Sequence, residues 1–219
     1  NKMRVIIKLL FVTYLLIVAH FSATAQFKIG ISARGGFLTT YNLEKYSYGY
    51  NYTVIKEANP TTYSSSIGIS IVYNDRVKVK VNFGKHTNAR IIDLVSHDDI
   101  PGPGTLYSGV NIPYEYYQYQ ASIGYNFLIN KFFPSLEVGI ALNHLTNMAD
   151  LFFVPIKETN FDINARAGVN YSVRENIFAG ANFVYTYGLN DYVNNSYDDS
   201  HFIPLQIGLE LTIEVLFDM

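Results

Sequence analysis

His144 and Thr146 stand two residues apart in "ALNHLTN", a spacing that puts an imidazole and a hydroxyl on the same side of an extended chain. A base beside a hydroxyl can generate a nucleophile if a third group orients the base, and no acid in the sequence can be assigned that task. Two oxygen-rich clusters come next. "SHDDIPGPG" carries His97, Asp98 and Asp99, and "NDYVNNSYDDSH" carries Asp198, Asp199 and His201. Such groups suit a hard divalent cation, but neither cluster has EF-hand or zinc spacing, and solvated loops explain them as well. No catalytic residue, metal ligand or cofactor is therefore assigned. A third set is more regular: Lys28, Arg34, Lys78, Lys80, Glu137, Asp162, Arg166, Glu210 and Glu214 each alternate with aliphatic neighbours. Charges placed this way share one face of a strand and need partners if that face is enclosed.

The elements that would position them follow from a change of period at Gln26. Before it, Lys2, Arg4 and Lys8 lead into the apolar run "LLFVTYLLIVAHF" and the small-residue site "ATA". This is the pattern of a secretory signal peptide over residues 1–25, exported and cleaved, and the run is too short for a spanning helix. Without those three cations the balance becomes 13 Lys and Arg against 18 Asp and Glu, a formal charge of −5. That balance points to no nucleic-acid partner. The absence of cysteine excludes disulfides and thiolate chemistry. Residues 26–219 have the size of one domain and no second apolar run long enough for a helix to cross a bilayer. Entry into a membrane would have to be by strands.

After Gln26 the period is two. In "FKIGISARGGF", Phe27, Ile29, Ile31, Ala33 and Phe37 oppose Lys28, Ser32 and Arg34. The same rule recurs in "YSSSIGISIVYN", "RVKVKVNFG", "YQYQASIGYN", "LEVGIALN", "FDINARAGVNY", "IFAGANFVYT" and "IPLQIGLELTIEV". Eight strands result, joined alternately by long loops and tight turns. The layout is an all-β, eight-stranded, antiparallel up-and-down transmembrane barrel. Two features choose lipid for the aliphatic face over a soluble, lipocalin-like barrel with an apolar ligand inside. Strand glycines such as Gly30, Gly68, Gly139 and Gly208 lie on the polar face, with Gly35 as the exception, and the crowded interior of a small barrel needs small residues. Aromatic residues bracket the aliphatic band. Phe37, Tyr63, Phe83, Tyr117, Phe161 and Tyr185 fall near the long loops; Phe27, Tyr73, Tyr125, Tyr171 and Phe217 fall near the turns. In that frame the lysines and Glu137, Glu210 and Glu214 lie toward the turn end, with Arg34, Arg166 and Asp162 higher, as a paired polar core that plugs the lumen.

The segments "FKIGISARGGF", "GVNIPYEYYQYQASIGYNF", "FPSLEVGIALNHL", "FDINARAGVNYSV", "YTYGLNDY" and "IPLQIGLELTIEVLF" together resemble the PorT-like small outer-membrane β-barrel proteins of Bacteroidetes-type bacteria. The resemblance implies an eight-stranded, monomeric barrel in the bacterial outer membrane, in contact with lipid and lipopolysaccharide and inserted by the barrel assembly machinery. It also implies a link to an envelope or secretion-associated assembly, and it transfers no catalytic residue. The His-x-Thr order at His144 is similar to the His-x-Ser pair of barrel lipid A deacylases, which makes a lipid-modifying enzyme the alternative function. The tyrosine-dense loop "YNLEKYSYGYNYTVIKEANP" would instead offer a recognition surface, since Tyr combines contact area with a polar tip.

Overall fold

The computed structural model describes residues 26–42, 52–96, 105–148, 157–191 and 203–219. The expected signal segment and the clusters around His97 and Asp198 lie outside the described residues. Nine strands follow one another: β1 (Phe27–Asn42), β2 (Tyr52–Ala58), β3 (Thr61–Tyr73), β4 (Val77–Ser96), β5 (Thr105–Asn126), β6 (Phe132–Met148), β7 (Thr159–Arg174), β8 (Ile177–Gly188) and β9 (Pro204–Asp218). Eight of them close a ring in the order β1–β3–β4–β5–β6–β7–β8–β9, with β9 pairing back onto β1 from Lys28↔Asp218 to Asn42↔Pro204. Every pairing is antiparallel. Closure leaves the ring no open edge, so its backbone groups can pair from strand to strand, the condition that hydrocarbon imposes on a spanning structure.

The tight turns are built from residues that tolerate left-handed backbone. Asn74 and Asp75 have φ of 50° and 57°, the pair of positive values that matches the twist of a two-residue hairpin. The Arg76 amide donates to the Tyr73 carbonyl at 3.0 Å, and the Asn74 side chain accepts from the Gln26 amide at 3.0 Å. Asn130, at φ 55°, turns the chain from β5 into β6.

Two features depart from the alternation read in the sequence. The segment expected to be wholly the first loop contains β2, which pairs with the outer part of β4, so the described residues form nine strands although the ring has eight. The strands expected to begin or stop near Gly84 and Tyr116 run much further, β4 to Ser96 and β5 back to Thr105. A bilayer needs about 9–11 residues of a tilted strand. The 20 and 22 residues of β4 and β5 therefore continue beyond the apolar band as a hairpin, to which β2 adds a third strand.

Polarity is inverted relative to a water-soluble barrel. Ile67, Leu211 and Phe37 are 66–72% exposed, whereas Arg34, Lys80, Asp162, Arg166, Glu210 and Glu214 are buried. Monomers in water seldom leave a continuous apolar surface of this extent uncovered. The lipocalin-like alternative is thereby overturned: its apolar residues would line the interior. The glycines obey the same geometry. A Cβ on Gly139 would lie 2.5 Å from the Ala121 carbonyl oxygen and 2.8 Å from the Ser122 Cβ, while one on Gly35, on the outer face, would meet only the Ser64 carbonyl oxygen at 3.9 Å.

Candidate functional site

The lumen is closed by charge. Alternation along β1, β4, β6, β7 and β9 turns Arg34, Lys78, Lys80, Glu137, Arg166, Glu210 and Glu214 inward, and the interior is narrow enough for them to meet. Arg34 Nη2 donates to Glu137 Oε2 at 2.5 Å. Their strands, β1 and β6, are four steps apart around the ring in either direction, so this pair spans the full width. Arg166 is the direct cross-strand neighbour of Glu137 and lies 3.6 Å from its Oε1. It also donates through Nε to Glu210 Oε2 at 2.7 Å and through Nη1 to Asn164 Oδ1 at 2.8 Å. Below this level Glu214 accepts from Lys78 and from Ser70, the latter at 2.9 Å, with Lys80 at 3.6 Å. Lys28 stays at the rim, 2.8 Å from Asp75 and 3.9 Å from Asp218.

The charges are layered differently from the sequence expectation. The alternation groups Glu137 and Glu210 with the lysines, yet they join Arg34 and Arg166, because Glu137 stands beside Arg166 in the β6–β7 register and Glu210 reaches it from β9. Asp162 sits higher, accepting from Asn143 Nδ2 at 2.6 Å. The lumen also holds uncharged polar residues that the charge pattern does not single out. Gln120 donates to Asn164 at 2.8 Å, Gln118 to Asn143 at 2.9 Å, and Gln206 to Thr40 at 3.0 Å. Tyr114 and Tyr116 are fully buried near the outer end. All lie on the inward parity, so the signal was present, but it carried no charge to draw attention.

Outside, the girdle residues Phe27, Phe37, Tyr63, Phe83, Tyr117, Tyr125, Phe161, Tyr171, Tyr185 and Phe217 are exposed, and Tyr73 is half-buried. They meet in small groups. Phe27 packs on Tyr73 with ring centroids 5.3 Å apart, Phe83 on Tyr117 and Tyr119 at 5.5 and 5.0 Å, and Phe132 on Tyr171 at 5.2 Å. With no Trp in the chain, Tyr and Phe supply every interfacial ring. Lys85, beyond Phe83 on the outward parity, places its ammonium 5.9 Å from the Tyr117 centroid.

His144 is exposed on the lipid-facing register beside Tyr117 and Thr159. The Thr146 hydroxyl donates to the Glu115 carbonyl at 3.0 Å, a structural use that ties β6 to β5 where their register shifts. No group of three or more His, Cys, Asp or Glu side chains is arranged to hold a metal among the described residues.

No protein family and no curated protein matches the chain in sequence. Solved structures do match in shape. Neisserial surface protein A superposes with a TM-score of 0.55 at 15% identity, over 86% of this chain and 97% of that one. The outer membrane protein AlkL, solved in lipid bilayers, gives 0.47 at 13% identity, over 87% and 90%. The first likeness establishes the fold, and the inverted polarity establishes the solvent. The chain is an eight-stranded antiparallel transmembrane β-barrel of the kind found in bacterial outer membranes, with a polar interior and an aliphatic, aromatic-rimmed exterior.

Proposed function

We propose that this barrel is a non-conducting outer-membrane anchor whose work is done by the β-structure it raises above the membrane, as an interaction protein of the envelope and not an enzyme. One observation carries the reading: the lumen is bridged from wall to wall by Arg34–Glu137 while β4 and β5 continue far past the outer girdle and recruit β2. About 40 Å of strand separates Phe83 from Ser96 at some 3.3 Å per residue, more than a linker between two membrane strands requires. A sheet of that reach suits recognition, because sites built on strands are positioned more precisely than sites on loops. Lipid and lipopolysaccharide surround the barrel, and a protein of the envelope or of a secretion-associated assembly is the partner that the PorT-like resemblance favours.

Photo-cross-linking from positions on the outer hairpin in native outer membranes, with identification of the captured protein, tests this reading. A discrete adduct that disappears when the hairpin is shortened is the expected result. Adducts to bulk lipopolysaccharide alone would reduce the protein to a passive barrel. Lipid A mass spectra that change when the protein is removed would replace the reading with the enzymatic one centred on His144.

A further inference from the structure

The central ion-pair cluster does not balance. Arg34, Lys78, Lys80 and Arg166 contribute four cations, and Glu137, Glu210 and Glu214 three carboxylates. Each carboxylate already faces a cation: Glu214 is divided between two lysines, Glu210 holds Arg166, and Glu137 accepts from Arg34 through Oε2 while its Oε1 faces Arg166 at 3.6 Å without a hydrogen bond. Asp162 does not correct the count locally, since it lies four residues from Arg166 along β7, about 13 Å of strand, and is held by Asn143. The surplus falls on Arg34 and Lys80. The Arg34 side chain is 4% exposed and spends Nη2 on Glu137, yet its Nε and Nη1 have no hydrogen-bond partner. Lys80 is 2% exposed, with Glu214 no closer than 3.6 Å.

Between these groups lies a cavity of about 20 Å³ lined by Arg34, Lys78, Lys80, Glu137, Thr212 and Glu214, among others. It shares Lys78, Asn126, Asn170 and Glu214 with a wider vestibule of about 250 Å³ that includes the turn residues Asp75, Asn130 and Glu175. A volume of ~10–15 Å³ holds one water-sized sphere, so the inner cavity admits a single small particle and the vestibule gives it an entrance from the turn side. Water there would satisfy the free guanidinium N–H groups but would bring no counter-charge to Lys80, whose burial is then relieved either by a counter-ion or by loss of its proton.

We propose that the lumen binds one monovalent anion of halide size between Arg34 and Lys80, entering from the turn end and completing the charge balance of the core. The second charge of phosphate or sulfate would overshoot the surplus. The site is independent of whatever the outer hairpin recognises.

Crystals of the detergent-folded barrel grown with bromide in place of chloride provide the direct test. An anomalous peak in contact with both Arg34 and Lys80 is expected; density for water alone, or no peak there, overturns the proposal. The unfolding midpoint of the folded barrel at fixed ionic strength provides a second test. It should be higher in bromide than in isethionate, whose bulk keeps it out of the cavity. In Lys80→Met, where cations and carboxylates number three each, that difference should vanish. Equal midpoints in the unaltered protein, or a halide effect that survives Lys80→Met, would also overturn it.

Discussion

Glu210 shows how much one lumen residue carries. It accepts two hydrogen bonds from Arg166, at 2.7 and 3.4 Å, and one from Ser64 at 3.2 Å. Glu210→Gln would leave Arg166 leaning on Glu137, which Arg34 already occupies. Breaking a buried pair from one side costs about 3–5 kcal/mol. We expect a loss of that order in urea unfolding followed by circular dichroism, with much of it recovered in the double variant Glu210→Gln/Arg166→Met. Gly139 tests the steric half of the design. Gly139→Val drives methyl groups into the Ala121 carbonyl and Ser122, and overpacking of this kind costs about 1–3 kcal/mol. Gly35→Ala, facing open space, should leave the same unfolding curve where it was.

At the scale of the element, legibility follows the solvent. Where a strand separates lipid from lumen, as "FKIGISARGGF" and "RVKVKVNFG" do, every second side chain is under opposite selection, and the period fixes both the strand and its face. Above the outer girdle that contrast ends. His86, Thr87, Asn88 and Ala89 are buried in succession, and Thr87 uses its hydroxyl both to accept from the Tyr63 amide and to donate to the Tyr63 carbonyl, each at 2.9 Å. Alternation is lost there although the strand continues, which is why β2 and the outer reaches of β4 and β5 were not foreseen. The layering of the charges was hidden for a different reason. Parity says which residues point inward, but how Glu137 and Glu210 meet the arginines depends on side-chain reach across the lumen. Because the lower halves of β4 and β5 complete their own pairings with β3 and β6, the outer hairpin is dispensable for closure. Replacing residues 91–110 by a two-residue turn should preserve insertion and the heat-dependent gel mobility of a folded barrel, while abolishing the cross-link proposed above.

For the whole molecule, the decisive property is that the cylinder is filled. Arg34–Glu137 across its waist and the buried Tyr114 and Tyr116 nearer the outer end leave no wide aqueous path among the described residues. Planar-bilayer recordings should give a quiet baseline, without large, stable openings. Sustained conductance would mean that the ion pairs part readily and that the barrel is a channel.

The seam between β1 and β9 sets a clock as well as a shape. It joins the strands most distant in sequence, Lys28 beside Asp218 and Asn42 beside Pro204, so the ring has two raw edges until the last strand arrives. Pairings between such remote segments form slowly, because the entropy of closing a long loop is spent before the contacts return anything. In the interval those edges are open to pairing with another chain. Unassisted insertion into pure lipid is therefore a race between closure and aggregation, and a catalyst that shelters the first strand until the ninth can reach it would decide the yield.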